Sequence, residues 1–261
     1  MQPDTAAVPS ALRVTGLRVT YGPFVAVDGI DLEVREGEIY GLLGPNGAGK
    51  TSALSAVEGL LRPTAGDIVI GDIDARRHRM QAKAQLGVQL QATSFHSALT
   101  LHELVRLFAG LYGVTLSSAR IRELLEEINL HQDASKHFRE LSGGQQQRFS
   151  LLIATIHDPA LVLLDEPTAG LDPQARRQLW DRIARFRVEG RSILLTTHSM
   201  EEAQAVCDRV AIMDHGKILT VGTPGGLIEA HRDDPQVRQV AHGEVTLEDV
   251  FIALTGRELR D

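Results

Sequence analysis

Residues 38–52 read Glu38-Ile39-Tyr40-Gly41-Leu42-Leu43-Gly44-Pro45-Asn46-Gly47-Ala48-Gly49-Lys50-Thr51-Ser52, and their reading decides the fold. The stretch Gly44 to Thr51 matches G-x-x-x-x-G-K-[ST] without a gap. Before it lies a short apolar, strand-like run; after it, Thr51 to Leu60 is compatible with a helix. Strand, glycine loop and helix in that order make a cradle for phosphate. The loop amides and the helix N-terminus converge on one anion, and Gly44, Gly47 and Gly49 let the backbone approach it closely. Lys50 has the reach to contact β- and γ-phosphates, and the Thr51 hydroxyl suits Mg²⁺.

Outward from this loop the chain alternates strands and helices. Residues 12–21 and 24–34 alternate apolar and polar around Gly22-Pro23, the pattern of an antiparallel pair. Residues 68–70 and 86–90 read as further strands. From Thr100 to about Leu130 the period changes to helical, with Leu101, Leu104, Val105, Leu107 and Phe108 on one face and Ile121, Leu124, Leu125 and Ile128 on another. A buried helix follows at 143–157. The α/β alternation then resumes: strand 161–164, helix 173–188, strand 192–196, helix 199–206, strands 210–213 and 218–221. This order predicts a largely parallel sheet covered on both faces. The tail from Asp233 is polar until Thr246, which caps a last short helix through Phe251 and Leu254 to Gly256.

The run Leu161 to Leu164 ends in Asp165-Glu166, at the carboxyl end of a buried strand, where α/β sheets hold their ligands. Asp165 suits the shell of a nucleotide-bound Mg²⁺. Glu166, one residue on, suits polarising an attacking water.

At 261 residues, with 43% hydrophobic and 23% charged residues, the chain has the composition of a soluble globular protein with a sizeable core. A net charge of −7 supplies no overall basic field for nucleic acid or anionic lipid. The lone Cys207 forms no internal disulfide, which fits a reduced, cytosolic setting. Met1 to Ser10 lacks the basic start and apolar stretch of a signal peptide, and the longest apolar runs are far too short for a bilayer. Action at a membrane therefore requires spans from another polypeptide.

Leu141-Ser142-Gly143-Gly144-Gln145, followed by Gln146-Gln147-Arg148, resembles the signature of ABC-type ATPases, the nucleotide-binding subunits of ATP-driven transporters. Other elements of that family stand in order around it. Tyr21 resembles the adenine-stacking aromatic. Gln91 resembles the Q-loop glutamine and is preferred over Gln89 because it ends its strand. Ala169-Gly170-Leu171-Asp172 resembles the D-loop, and His198 the switch histidine. The resemblance covers roughly residues 11–225. It implies an α/β, P-loop NTPase (RecA-like) core with an N-terminal antiparallel β-subdomain and an inserted α-helical subdomain. The expected division is a flexible N-terminus at 1–10, an ATPase domain at 11–231 with its helical insertion at about 92–157, and a short tail with a terminal helix at 232–261.

The resemblance implies ATP as substrate, with Tyr21, Gly44, Pro45, Asn46, Gly47, Ala48, Gly49, Lys50, Thr51 and Ser52 binding it. Ser142, Gly143, Gly144 and Gln145 would bind the ATP held by a second cassette, with Asp172 linking the two sites. Thr51 and Gln91 would hold Mg²⁺ directly and Asp165 through water. Glu166, His198, Gln91 and Lys50 would carry hydrolysis. The implied partners are a second nucleotide-binding subunit and a separate polytopic permease, placing the chain on the cytoplasmic membrane face; no nucleic acid is expected. The alternative is a soluble ATPase of this class acting in DNA maintenance or translation. Gln146 stands where a basic residue is frequent, and Phe149 where a smaller aliphatic is frequent. The tail around Thr246-Leu247-Glu248-Asp249-Val250-Phe251 resembles that of exporter-type subunits, including antibiotic and multidrug exporters.

Overall fold

A computed structural model describes residues 9–89 and 95–256. Two sheets organise it. A four-stranded antiparallel sheet has the order β2-β1-β4-β5, built from β1 (Ser10–Tyr21), β2 (Phe24–Arg35), β4 (Ala65–Ile70) and β5 (Ile73–Asp74). A six-stranded sheet has the order β10-β9-β3-β8-β7-β6, from β3 (Ile39–Leu43), β6 (Leu86–Gln89), β7 (Leu161–Asp165), β8 (Ser192–Thr197), β9 (Arg209–Asp214) and β10 (Lys217–Gly222). All its pairings are parallel except the β9–β10 hairpin. The helices are α1 (Lys50–Val57), α2 (Arg79–Ala84), α3 (Leu101–Leu111), α4 (Ser118–Glu127), α5 (Gly143–Thr155), α6 (Pro173–Val188), α7 (Met200–Val206), α8 (Pro224–His231), α9 (Pro235–Val240) and α10 (Leu247–Thr255).

β3, β7 and β8 are buried along their whole length, which explains the apolar stretches at their centres. Side chains alternate between two cores. Tyr40, Leu42, Leu161, Leu163 and Leu194 join α1 and the antiparallel sheet in one cluster. Ile39, Leu43, Val162, Leu164, Ile193 and Leu195 join α6, α7 and the C-terminal helices in the other. This alternation positions the chemistry: Asp165 shares the face of Leu161 and Leu163, so its carboxylate points toward α1.

A third core joins α3, α4 and α5. Phe149, fully buried, packs edge-on against Phe95 with centroids 5.4 Å apart, and Phe95 also meets Phe108 and Phe138 at 5.3 and 4.7 Å. The aromatic at 149 thus completes a ring cluster that a smaller aliphatic would leave short of contacts. Gln146 turns its amide to the carbonyls of Phe138 and Leu141, at 3.4 and 3.1 Å.

The tail holds one helix that the sequence reading did not place. The stretch after Asp233 holds α9, because Asp234 caps the N–H of Gln236 at 2.8 Å, Pro235 begins the helix, and Val237 is buried against the second core. The last helix starts as expected, with a reciprocal capping box between Thr246 and Asp249. Among the described residues no helix is long and apolar enough to cross a membrane.

Candidate functional site

The glycine loop joins β3 to α1, and its first amide, Gly44 N–H, donates to the carbonyl of Thr197 at the end of β8 (3.1 Å). Gly49 has a φ of +104°, and a Cβ there would lie 2.3 Å from the carbonyl oxygen of Ala26. Only glycine fits, so the loop is pressed directly onto the antiparallel sheet. Lys50, 4% exposed, folds its ammonium back over the loop, donating to the carbonyls of Gly44 (2.7 Å) and Pro45 (3.1 Å). Burial pushes its pKa down, and the nearby Glu166 carboxylate opposes that shift.

Asp165 is buried at the end of β7, where the parallel register sets it beside Thr196. Its Oδ1 accepts from the Thr196 hydroxyl and, at 3.3 Å, from that of Thr51. Glu166 leaves the strand with φ +46°, an uncommon left-handed conformation for a side chain of this kind. Its N–H donates to both the carbonyl and the hydroxyl of Thr196 (3.2 and 3.1 Å), which pins the turn. The carboxylate then lies 3.6 Å from Lys50 Nζ and 3.3 Å from His198 Nδ1. Lys50, Thr51, Asp165, Glu166 and His198, separated widely in sequence, are thus brought together.

An open cleft above them is lined by Tyr21, Phe24, Ala26, residues 46–52 and Glu166. Tyr21 and Phe24 pair across the Gly22-Pro23 turn and remain 48% and 62% exposed. The Tyr21 hydroxyl lies 3.4 Å from Ser52 Oγ. Sequence reasoning singled out Tyr21 and missed Phe24. The signal was present, since an antiparallel pair tight around Gly22-Pro23 puts both rings at its tip. Thr196 was also missed, and no local pattern marks it.

Ser142 to Gln145 do not line this cleft. Ser142 is the exposed N-cap of α5; its hydroxyl accepts from Gln145 N–H (3.4 Å), and its own N–H donates to Gln145 Oε1 (2.9 Å). Gly144 has a packing reason, because a Cβ there would meet the Cβ of Ala175 on α6 at 3.0 Å. Gly143 faces no such contact and is exposed. Asp172 caps α6, accepting from Gln174 and Ala175 N–H at 3.0 and 2.9 Å. Gln89 is buried and hydrogen-bonded to Gln147. Gln91 lies outside the described residues.

The donor set fits a nucleotide with its cation. The hydroxyl of Thr51 and the carboxylate of Asp165 are hard oxygens side by side at the start of α1, as Mg²⁺ requires. Loop amides, a helix N-terminus and one buried ammonium converge beside them, as a triphosphate requires.

The ABC transporter family profile matches residues 27–169. The Nod factor export ATP-binding protein I of Cupriavidus metallidurans is 35% identical, over 96% of this chain and 99% of that protein. Its counterpart from Ralstonia nicotianae is 34% identical, over 96% and 95%. Among solved structures, an ATP-binding subunit of an ABC transporter superposes with a TM-score of 0.79 at 28% identity, covering 94% of this chain and 99% of that one. The cbiO1 protein of Clostridium perfringens, part of the cbiONQ transporter complex, gives 0.74 at 26% identity, covering 89% and 94%. The glycine cradle, the carboxylate pair and these likenesses agree: the chain belongs to the ABC transporter family, as its ATP-binding and ATP-hydrolysing subunit.

Proposed function

We propose that this subunit powers an exporter of small molecules and works as a head-to-tail pair, each ATP gripped by Lys50 of one protomer and Ser142 of the other. The observation that carries this reading is a division within one chain. Lys50, Thr51 and Glu166 line one cleft, with His198 against Glu166 and Asp165 against Thr51, while Ser142 caps an exposed helix start outside it. The exposed Ser142-Gly143 edge presents a helix N-terminus to a second surface. The names of the relatives support export over import, and favour transport over DNA maintenance or translation.

In this mechanism Tyr21 and Phe24 face the base, and residues 44–52 bind the phosphates. Thr51 and Asp165, with Gln91, would hold Mg²⁺, which neutralises charge developing on the β- and γ-phosphate oxygens. Glu166 orients water in line with the γ-phosphorus and accepts its proton as the new P–O bond forms and the bond to the β–γ bridging oxygen breaks. His198 contacts the γ-phosphate and holds Glu166 in place. Asp172 links the two sites across the pair. Closure of two protomers on ATP moves a separate polytopic permease, which holds the subunit at the cytoplasmic membrane face.

Groups delivered in trans to phosphoryl transfer are worth roughly 10³–10⁵ in rate. ATPase activity per subunit should therefore rise with protein concentration, and apparent ATP affinity should rise with it, because a nucleotide gripped by both protomers binds the pair more tightly than the monomer. Fast turnover independent of concentration, by a species that remains monomeric, would contradict the paired mechanism.

A further inference from the structure

Ser199-Met200-Glu201-Glu202 has the spacing of a capping box, but only half of the box is made. Ser199 Oγ accepts from Glu202 N–H at 3.2 Å, while the Glu202 side chain turns inward and is 1% exposed. A carboxyl buried so completely is costly unless donors surround it. Three do: the indole N–H of Trp180, 3.1 Å from Oε1, and the hydroxyls of Thr168 and Thr197.

The three donors come from three different segments. Trp180 belongs to α6. Thr168 lies two residues beyond Glu166, in the loop that leads to Asp172. Thr197 immediately precedes His198; it also accepts from Ser199 N–H through its hydroxyl (2.9 Å) and from Gly44 N–H through its carbonyl (3.1 Å). One buried carboxyl beneath the site therefore ties together the Glu166 loop, the His198 loop and, through Thr197, the first residue of the phosphate loop. None of Thr168, Thr197, Trp180 or Glu202 lines the nucleotide cleft.

We propose that Glu202 is a positioning residue for hydrolysis: it holds the loops of Glu166 and His198 in the register that leaves those side chains 3.3 Å apart, and Trp180 reports that register. The proposal rests on the roles given above to Glu166 and His198. Trp180 is the single tryptophan of the chain, so its emission reads this one network.

The test compares the full-length protein with E202L, E202Q and T168V, with E166Q as a control. Misplacing reacting groups by about an ångström costs on the order of 10²-fold. E202L should lower kcat about 10- to 100-fold with KM for ATP within about twofold. E202Q should stay within about threefold of wild type, because its carboxamide oxygen still accepts from Trp180 and the threonine hydroxyls can turn to accept from its NH₂. Addition of Mg-ATP should shift Trp180 emission in the wild type and in E202Q, but not in E202L. T168V keeps the side-chain shape and removes one donor, so it decides the matter if E202L fails to fold: an about threefold or greater loss in kcat at unchanged KM is expected. A kcat within twofold of wild type in E202L or T168V, while E166Q is arrested, overturns the positioning role and leaves the assignment of Glu166 standing. Equal losses in E202Q and E202L overturn it in favour of charge. If E166Q itself turns over normally, the reading beneath the proposal fails instead.

Discussion

Oε1 of Glu166 lies 3.3 Å from Nδ1 of His198 and 3.6 Å from Nζ of Lys50, so one carboxylate oxygen stands between the histidine of one strand end and the lysine of the phosphate loop. A general base contributes about 10²–10⁴-fold. Glu166→Gln should lower steady ATP turnover by at least about 100-fold, measured as phosphate release, while ATP binding persists. Lys50→Ala should instead weaken nucleotide binding, because the ammonium is the one side-chain cation lining the cleft among the described residues.

Gly49 gives a prediction about the fold of the loop. Any Cβ there meets the Ala26 carbonyl at 2.3 Å, and the φ of +104° is itself unfavourable for an L side chain. Gly49→Ala should cost at least about 1–3 kcal/mol from backbone strain alone. That corresponds to a melting temperature lower by about 2–12 °C, with loss of ATP binding. An unchanged melting curve and unchanged affinity would show that the loop does not rest on the antiparallel sheet as described.

The two exposed rings at the tip of the β1–β2 hairpin should act on the base and not on the phosphates. An aromatic stacking contact is worth about 0.5–1.5 kcal/mol, or about 2- to 13-fold in affinity. Phe24→Ala and Tyr21→Ala should each weaken ATP by about that factor and leave inorganic triphosphate binding unchanged. Equal losses for both ligands would mean that the rings shape the loop instead.

Much of the fold was legible because it follows from local periods. The apolar run before Gly44 and the continuous apolar run at 161–164 announced strands, as did residues 192–196, and the structure places all three adjacent in one sheet. The glycine loop and the Asp165-Glu166 pair were legible for the same reason: each sits at a strand end, where position along the chain already implies position in space. Phe24, Thr196 and the interior turn of Glu202 were not, because each depends on which strands or helices pair. Thr196 matters through its register with Asp165, which nothing near it in sequence records. Glu202 carried a local pattern that pointed to the helix N-terminus, and the donors of Trp180, Thr168 and Thr197 won the competition for its carboxyl. The helix at 235–240 was hidden by polar neighbours around a single buried valine.

Burial raises the pKa of the Glu202 carboxyl, against the opposing pull of its hydrogen bonds to Thr197, Thr168 and Trp180 and of His198; Cys207 also faces it. The sign of the consequence is fixed by linkage. Between the ordinary glutamate value and the raised one, the folded chain holds a proton that the unfolded chain has lost. Unfolding free energy from this group therefore falls as pH rises through that window, by up to about 1.4 kcal/mol per pH unit, and is flat above it. The melting temperature of E202Q minus that of wild type should grow with pH across the window and then level off. Parallel melting profiles at all pH values would remove the buried carboxyl as a titrating group.

In the paired mechanism one nucleotide is held by Lys50 of one protomer and Ser142 of its mate. Solving the structure of the E166Q protein trapped with Mg-ATP tests it most directly. Two ATP molecules are expected at the interface of a dimer, each with Lys50 Nζ from one chain and Ser142 Oγ from the other within about 3 Å of γ-phosphate oxygens. A trapped complex in which Ser142 stands far from every bound triphosphate would contradict it.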